Sequence, residues 1–295
     1  MDYRFSMEKI SLELLDILLK DRTTSKNIIW ATNDYKNIFA TEEIRVEQIN
    51  LIHPRFEKFC EQQKNRTRDK AEIFTPSWIC NKQNNLIDEV WFNRVDVFNK
   101  IVDAKSYIWE AVTEKIFFDG GRSWQNYVEA NRLEIACGEA PYLVSRYDTV
   151  SGESILIKNR IGLLDRKLRI VSEKVNDVEE WLSWAKKAVQ SIYGYEFQGD
   201  NLSIARCNIF FTVKEFFFEK YKFECDVYQD FLRDTSEIIS WNLWQMDGLT
   251  NAIPYAEVKL NLFDEKSEEN VYCQIKDWKE NKILSFKSLL EGVGK

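Results

Sequence analysis

Residues 192–209 read IYGYEFQGDNLSIARCNI, and three kinds of local order follow one another within them. Ile192–Phe197 is rich in aromatic and β-branched residues, which predicts a strand. Gln198-Gly199-Asp200-Asn201 carries the residues of a tight turn and a helix N-cap. Leu202, Ala205 and Ile209, then Val213 and Phe216, recur near helical spacing. A strand running through a short turn into a helix is half of a βαβ unit, the building block of parallel sheets.

The same order extends both ways along the chain. Upstream, Leu133–Ile135 reads as a strand. VEEWLSWAKKAVQ (178–190) reads as a helix with Val178, Trp181, Leu182, Ala185 and Val189 on one face. Downstream, a helix over 226–240 leads into the strand-like WNLWQM (241–246), closed by Asp247-Gly248. Strands alternating with helices predict an α/β fold with a mainly parallel, doubly wound sheet, whose ligands sit at the carboxyl ends of the strands. Those ends carry Ala136-Cys137-Gly138 after the first strand, Glu196 after the second and Asp247 after the third. A nucleoside cofactor needs a close-approach turn, a carboxylate for the ribose hydroxyls and a polar group for the adenine, and these positions offer them in that order. Each residue alone has a plainer role, since a strand-ending carboxylate commonly caps a turn and a lone glycine commonly makes one.

Residues 1–70 predict a mainly helical N-terminal region ahead of an α/β domain over 71–295. Phe5, Ile10, Leu14, Ile17 and Leu18 define an amphipathic helix, KNIIWATNDY (26–35) a short strand and loop, and residues 41–65 helix on either side of His53-Pro54. The basic run KNRTRDK (64–70) reads as a solvated loop, with a phosphate contact as the sharper alternative.

Composition removes several classes of function. With 44% hydrophobic and 30% charged residues, and only 10 glycines and 4 prolines in 295, the chain is neither disordered nor fibrous. Six cysteines without a CxxC pair read as reduced thiols of a cytoplasmic protein. The first segment is acidic and amphipathic, unlike a signal peptide, and the most apolar run (209–221) is broken by Lys214 and Glu215, so no membrane span is expected. A single histidine, His53, rules out a two-histidine zinc site and an HExxH protease, and no metal is expected. The net charge of −7 requires any nucleic-acid surface to be local or supplied by a partner. Phe216-Phe217-Phe218 and Trp241/Trp244 read as core rather than as base-stacking platforms.

LEIACGEAPYL (133–143) resembles the S-adenosylmethionine loop of bacterial DNA amino-methyltransferases, whose usual form is an acid, then Pro-Ala-Cys-Gly-Ser/Thr-Gly, then an aromatic and Leu. IYGYEFQGDNLSIARCNI is similar to their second motif, WNLWQMDGL to their third, and AEIFTPSWICNKQNNLID (71–88) to their Phe-Thr-Pro motif. That motif precedes the cofactor loop in the gamma-type enzymes, including modification subunits of restriction systems, and it does so here. The resemblance covers roughly residues 70–250. It implies a Rossmann-like methyltransferase sheet with helices on both faces, and S-adenosylmethionine as cofactor. Phe74, Thr75 and Pro76 would contact the methionine end of that cofactor. Glu134, Ala136, Cys137 and Gly138 would form the loop around it, Glu196 would hold the ribose, and Asp247 would face the adenine amino group. The implied activity is methylation of DNA at adenine N6 within a bacterial restriction–modification or phage-defence system, with a separate specificity or restriction subunit as partner. No metal is needed, because the sulfonium already activates the methyl group.

Four departures from the family pattern shape the expectations. The loop reads Cys-Gly-Glu-Ala, so Glu139 is expected to bring a negative charge near the sulfonium. The 57 residues between Gly138 and Glu196 (139–195) suggest an insertion at about 144–177 that leaves the core. The catalytic Asn/Asp/Ser-Pro-Pro-aromatic tetrapeptide, which grips the flipped base, is absent. Its nearest substitutes are Asn251, Pro254 and Tyr255 in NAIPY, then Asp277-Trp278 at the end of an expected fourth strand. Finally, residues 251–295 are too few for a target-recognition domain. Two other functions therefore stand beside the enzyme: a catalytically degenerate subunit that binds cofactor or DNA for assembly or regulation, and a plain nucleotide-binding regulator.

Overall fold

The computed structural model describes residues 7–70, 72–103, 105–256 and 272–292. In chain order, α1 (Leu12–Leu19), α2 (Cys60–Lys70) and α3 (Ser77–Phe92) lead to a hairpin of β1 (Asn99–Asp103) and β2 (Ile108–Ala111). After α4 (Trp124–Val128) come β3 (Arg132–Glu134), α5 (Leu163–Lys174), α6 (Val178–Gln190), β4 (Ile192–Glu196), α7 (Gly199–Tyr221), α8 (Gln229–Asn242) and β5 (Leu243–Gln245). β6 (Gln274–Asp277), β7 (Lys282–Ser285) and α9 (Phe286–Gly292) complete the described elements. The fold is mixed α/β. Its centre is a parallel sheet of β3, β4 and β5 in that order, with Leu133 opposite Tyr193 and Gly194 opposite Leu243.

The helices form where apolar spacing and capping agree. The Asp177 side chain accepts the Glu180 N–H at the start of α6, which buries Trp181, Leu182, Ala185, Ala188 and Val189. α7 is buried on nearly every side, from Leu202 through Phe217, as befits a helix at the centre of a large core. Leu14, Leu15 and Leu18 of α1 join the same core as Ile238 and Ile239 of α8, so residues before 70 do not have a separate interior. Arg206 of α7 locks these segments together. Its guanidinium, wholly buried, donates to the carbonyls of Leu18 (2.5 Å), Lys20 (3.0 Å), Ser240 (3.3 Å) and Leu243 (2.6 Å), and burial lowers its pKa to about 9.

Several sequence expectations are corrected. Residues 26–35 form no strand: only isolated bridges join Lys20 to Asn27 and Ile29 to Glu43. This backbone instead braces the sheet, since the Gly199 N–H donates to the Trp30 carbonyl (3.0 Å) and the Ile29 N–H to Gln245 Oε1 (2.8 Å). Of the helix expected over 41–65, only the start of α2 from Cys60 is α-helical; around His53-Pro54 the chain makes 3-10 turns, Val46–Leu51 and Arg55–Glu57. Phe5, the expected start of the first helix, lies outside the described residues. The segment 144–177 does not leave the core: it supplies α5, whose Leu164, Leu168, Ile170 and Val171 are fully buried. β6 is no fourth strand of the parallel sheet, because it pairs antiparallel with β7 in a separate hairpin. Cys60 is exposed, the other five cysteines are buried, and all are free thiols. Among the described residues no helix is long and apolar enough to cross a membrane.

Candidate functional site

The three parallel strands end together, and the chain leaving each of them borders one cavity of about 610 Å³. Its size is that of a small-molecule site. Ile135–Gly138 follow β3, Phe197 and Gln198 follow β4, and Met246 and Gly248 follow β5. Ile73, Phe74 and Thr75 close it from the segment before α3.

The loop after β3 is folded by its own hydrogen bonds. The Cys137 N–H donates to the Tyr195 carbonyl (2.8 Å), and the Gly138 N–H to Glu196 Oε2 (2.9 Å). The Gln198 N–H donates to Glu196 Oε1 (3.1 Å), so one carboxylate ties the ends of β3 and β4 together. Gly138 has φ +54°, a left-handed conformation that a side chain would strain, and its Cα faces the Phe74 ring. Glu134 closes the far side of the loop by accepting from the N–H groups of Tyr142 (3.3 Å) and Leu143 (3.2 Å).

Among the described residues, the acidic and basic side chains on the cavity wall are Glu72, Glu134 and Glu196, with no lysine or arginine. Burial raises the Glu134 carboxyl to about 8, against the two amides that favour its charged form. Burial likewise raises Glu196 to about 6, opposed by the amides of Gly138 and Gln198. Among the described residues, phosphate oxygens would meet acidic side chains and no cation here, although Glu134, raised to about 8, is largely a neutral acid at pH 7; this disfavours phosphorylated nucleotides. A ligand that is cationic and phosphate-free, with an apolar or aromatic body, fits the wall better. Aromatic partners are at hand in Phe74, Tyr142, Tyr195 and Phe197.

Seven of the nine expected cofactor residues line this cavity: Phe74, Thr75, Glu134, Ala136, Cys137, Gly138 and Glu196. The other two do not. Pro76 opens α3 as its N-cap residue and lines a neighbouring groove of about 600 Å³, where Trp78 and Tyr107 stack with ring centres 3.8 Å apart. Asp247 caps its own turn, with Oδ1 accepting the Leu249 N–H (2.8 Å), while its neighbours Met246 and Gly248 reach the cavity.

Glu139 is also corrected. It sits in the interior, not on the cavity wall, and accepts from the Arg55 N–H (2.7 Å) and the Tyr147 hydroxyl (2.7 Å). Burial raises its carboxyl to about 7.

The candidate catalytic residues are not gathered in the cavity. Asn251 lies in the turn after β5, its N–H donating to the Asp247 carbonyl (2.8 Å), and Pro254 is buried beyond it. Tyr255 does not line the cavity either, although its half-exposed ring packs edge-on to the lining residue Phe197 at 5.6 Å. Asp277 and Trp278 lie at the opposite end of the sheet. The Trp278 Nε1–H donates to Asn242 Oδ1 (2.7 Å), and the Asn242 side chain in turn donates to the Ile192 carbonyl, where β4 begins. Among the described residues no group of three or more His, Cys, Asp and Glu side chains is placed to hold a metal ion.

Sequence reasoning missed the support behind the cavity. Arg66, expected in a solvated loop, lies on α2 with its side chain fully buried. It donates to Asp200 (2.8 Å), to Glu72 (2.7 Å) and to Gln198, while Lys58 (3.0 Å) and the Tyr35 hydroxyl (2.8 Å) also donate to Asp200. Burial opposes the charge on Asp200, but Lys58 and Arg66 outweigh it and hold its carboxyl well below the usual range. Asp200 is therefore inside α7 as the anchor of an ion cluster, and Gln198, at the N-cap position, makes no side-chain cap. A larger cavity of about 740 Å³ lies between the β1–β2 hairpin and α5, away from the strand ends; charged residues on its wall include Arg169, paired with Glu173, and Arg166, paired with Asp88.

No protein-family model, curated protein or solved structure matches the chain.

Proposed function

We propose that the cavity at the strand ends binds S-adenosylmethionine, and that the chain is a Rossmann-like subunit of a DNA adenine amino-methyltransferase serving bacterial restriction–modification or phage defence in the cytoplasm. One observation carries this reading: the loop, ribose-side and Phe-Thr elements of the motif meet in a single cavity whose lining Asp, Glu, Lys and Arg side chains, among the described residues, are all acidic. That wall suits a sulfonium-bearing, phosphate-free nucleoside and disfavours ATP or NAD. Glu196 holds two backbone amides and still has lone pairs to accept ribose hydroxyls. The apolar faces of Ile135, Phe74 and Phe197 exclude water from the nucleoside. When bound, the cofactor supplies an already activated methyl group, and the chain contributes position and alignment.

The acceptor side supports a division of labour. Among the described residues, Asn251, Pro254 and Tyr255 do not line the cavity, and this reading takes the residues that grip DNA from a partner chain. The same observation favours a second reading, in which the subunit holds cofactor for assembly or regulation and never transfers the methyl group. Calorimetry separates the parts. S-adenosylmethionine and S-adenosylhomocysteine should bind the chain while ATP and NAD do not, and Glu196→Ala should weaken both by about tenfold or more. Absence of binding, or a Glu196→Ala variant indistinguishable from the parent, overturns the cofactor reading. A tritiated methyl-transfer assay on mixed-sequence DNA, with and without neighbouring gene products, then distinguishes transfer from a regulatory role.

A further inference from the structure

α3 carries its polarity in reverse of the usual surface helix. Its inward face holds Asn81, Asn84 and Asp88, each with a specific partner. Asn81 exchanges hydrogen bonds with Asn99 (2.9 and 3.0 Å), and Asn84 donates to the carbonyls of Tyr142 (3.0 Å) and Ile161 (2.9 Å). Asp88 accepts from the Tyr127 hydroxyl (2.7 Å) and from Arg166. These partners fix the rotation of the helix. Its outward face is apolar: Leu86 is 55% exposed, Ile87 38% and Val90 80%, with half-buried Ile79 two turns before Leu86. Ile79, Leu86 and Val90 stand at i, i+7 and i+11, which places them in one stripe about 16 Å long. A contiguous apolar stripe facing outward marks an interaction surface.

The charges beside the stripe say what covers it. Lys82 and Glu89 lie on one flank, both exposed and, among the described residues, without an ion-pair partner. Seven positions apart, they share a side of the helix about 10.5 Å from each other along its axis. The third charge of α3, Asp88, is buried and paired with Arg166, and Arg94 just beyond the helix lies 3.9 Å from Asp119. The β1–β2 hairpin beside α3 sets Lys100 and Lys105 against Asp103 and Glu110, so it adds no net charge. A twofold axis midway between Lys82 and Glu89, close to Leu86, lays a second α3 antiparallel on the first. Each Lys82 then faces Glu89 of the second copy, Leu86 meets its own counterpart, and Ile79 meets Val90 of the second copy. A parallel pairing would set like charges against each other instead.

We propose that the outward face of α3 is the twofold interface of a homodimer, covered by the same face of a second copy of this chain. The assignment does not depend on what the strand-end cavity binds. Pro76, at the start of α3, follows the cavity residues Phe74 and Thr75, so the pairing ties the walls of two cavities to one helix pair.

Sedimentation velocity on the full chain over about 1–100 µM tests it. The parent should pass from monomer to dimer in this range, as suits an interface centred on one short helix. Val90→Asp should weaken the dimer by about tenfold or more. Lys82→Glu and Glu89→Lys, both at exposed sites that leave the fold intact, should each weaken it by about fivefold, because both flank contacts become like-charged. Mixed one to one, the two single variants should pair with each other at near-parental strength, since both contacts are again between opposite charges. The double variant Lys82→Glu/Glu89→Lys should likewise self-associate as the parent does. Misfolding could not be rescued in this way. A parent that stays monomeric at about 100 µM, a dimer that Val90→Asp leaves intact, or single variants that mixing does not rescue overturns the assignment.

Discussion

A single carboxylate decides how the cation cluster behind the cavity survives burial. Asp200 accepts from Lys58, Arg66 and Tyr35, and replacing it by Asn leaves two buried cations without their shared counter-charge. Breaking a buried ion cluster from one side costs about 3–5 kcal/mol, so Asp200→Asn should lower the urea midpoint accordingly at unchanged slope. A loss below about 1 kcal/mol would mean the cluster is solvated. At this scale the sequence was uneven in what it disclosed. Cys137, Gly138 and Glu196 were legible because each follows a strand that its own neighbours define. Glu72 and Arg66 were not, because Arg66 meets Asp200 across 134 positions and no local pattern encodes that meeting.

Elements with one clean period were legible from the residues. β3, α6, β4, α7 and β5 all lie where spacing placed them, within a few residues at their ends. α5 was hidden by its charges, since LLDRKLRIVSEK buries Asp165, Arg166 and Lys167 alongside its leucines. Each has a polar partner: Asp165 accepts from Ser145, Arg166 donates to Asp88, and Lys167 donates to the Ser191 hydroxyl. Those partners take up part of the buried polar groups, leaving Asp165 Oδ1 and Arg166 Nε without one among the described residues, and the amphipathic pattern blurs. The helix nevertheless belongs to the core, so Leu168→Ala should cost about 2–5 kcal/mol in chemical denaturation. A change within about 0.5 kcal/mol, typical of an exposed surface site, would return 144–177 to the outside of the fold.

Across the whole molecule the buried carboxyls set the response to pH. Glu134, Glu139 and Glu196 rise by burial to about 8, 7 and 6 from an ordinary value of 4.5. The folded chain therefore keeps protons that the unfolded chain has released. Their contribution is fully present below the unfolded value, and is lost as pH rises through the three folded values. Asp200 works in the opposite sense, but its depressed carboxyl gives way only in acid below that window. Lys167, whose ammonium burial holds well below the usual lysine range, pulls the other way within this window, so the test is a difference: the melting temperature of Glu139→Gln should improve relative to the parent as pH goes from 5.5 to 8.5. A constant difference across this range would refute the assignment of Glu139 as a buried acid.

Arg206 has a further consequence, for the order in which the chain can be built. Its five donors need carbonyls from Leu18 and Lys20 near the start and from Ser240 and Leu243 far along, separated from it by up to 188 positions. During synthesis the opening helix emerges long before the helix and strand that complete its seat. It must wait, undocked, until about residue 243 has cleared the ribosome, and final closure is then a slow, long-range event. α1 is made before its own seat and docks only once that seat exists.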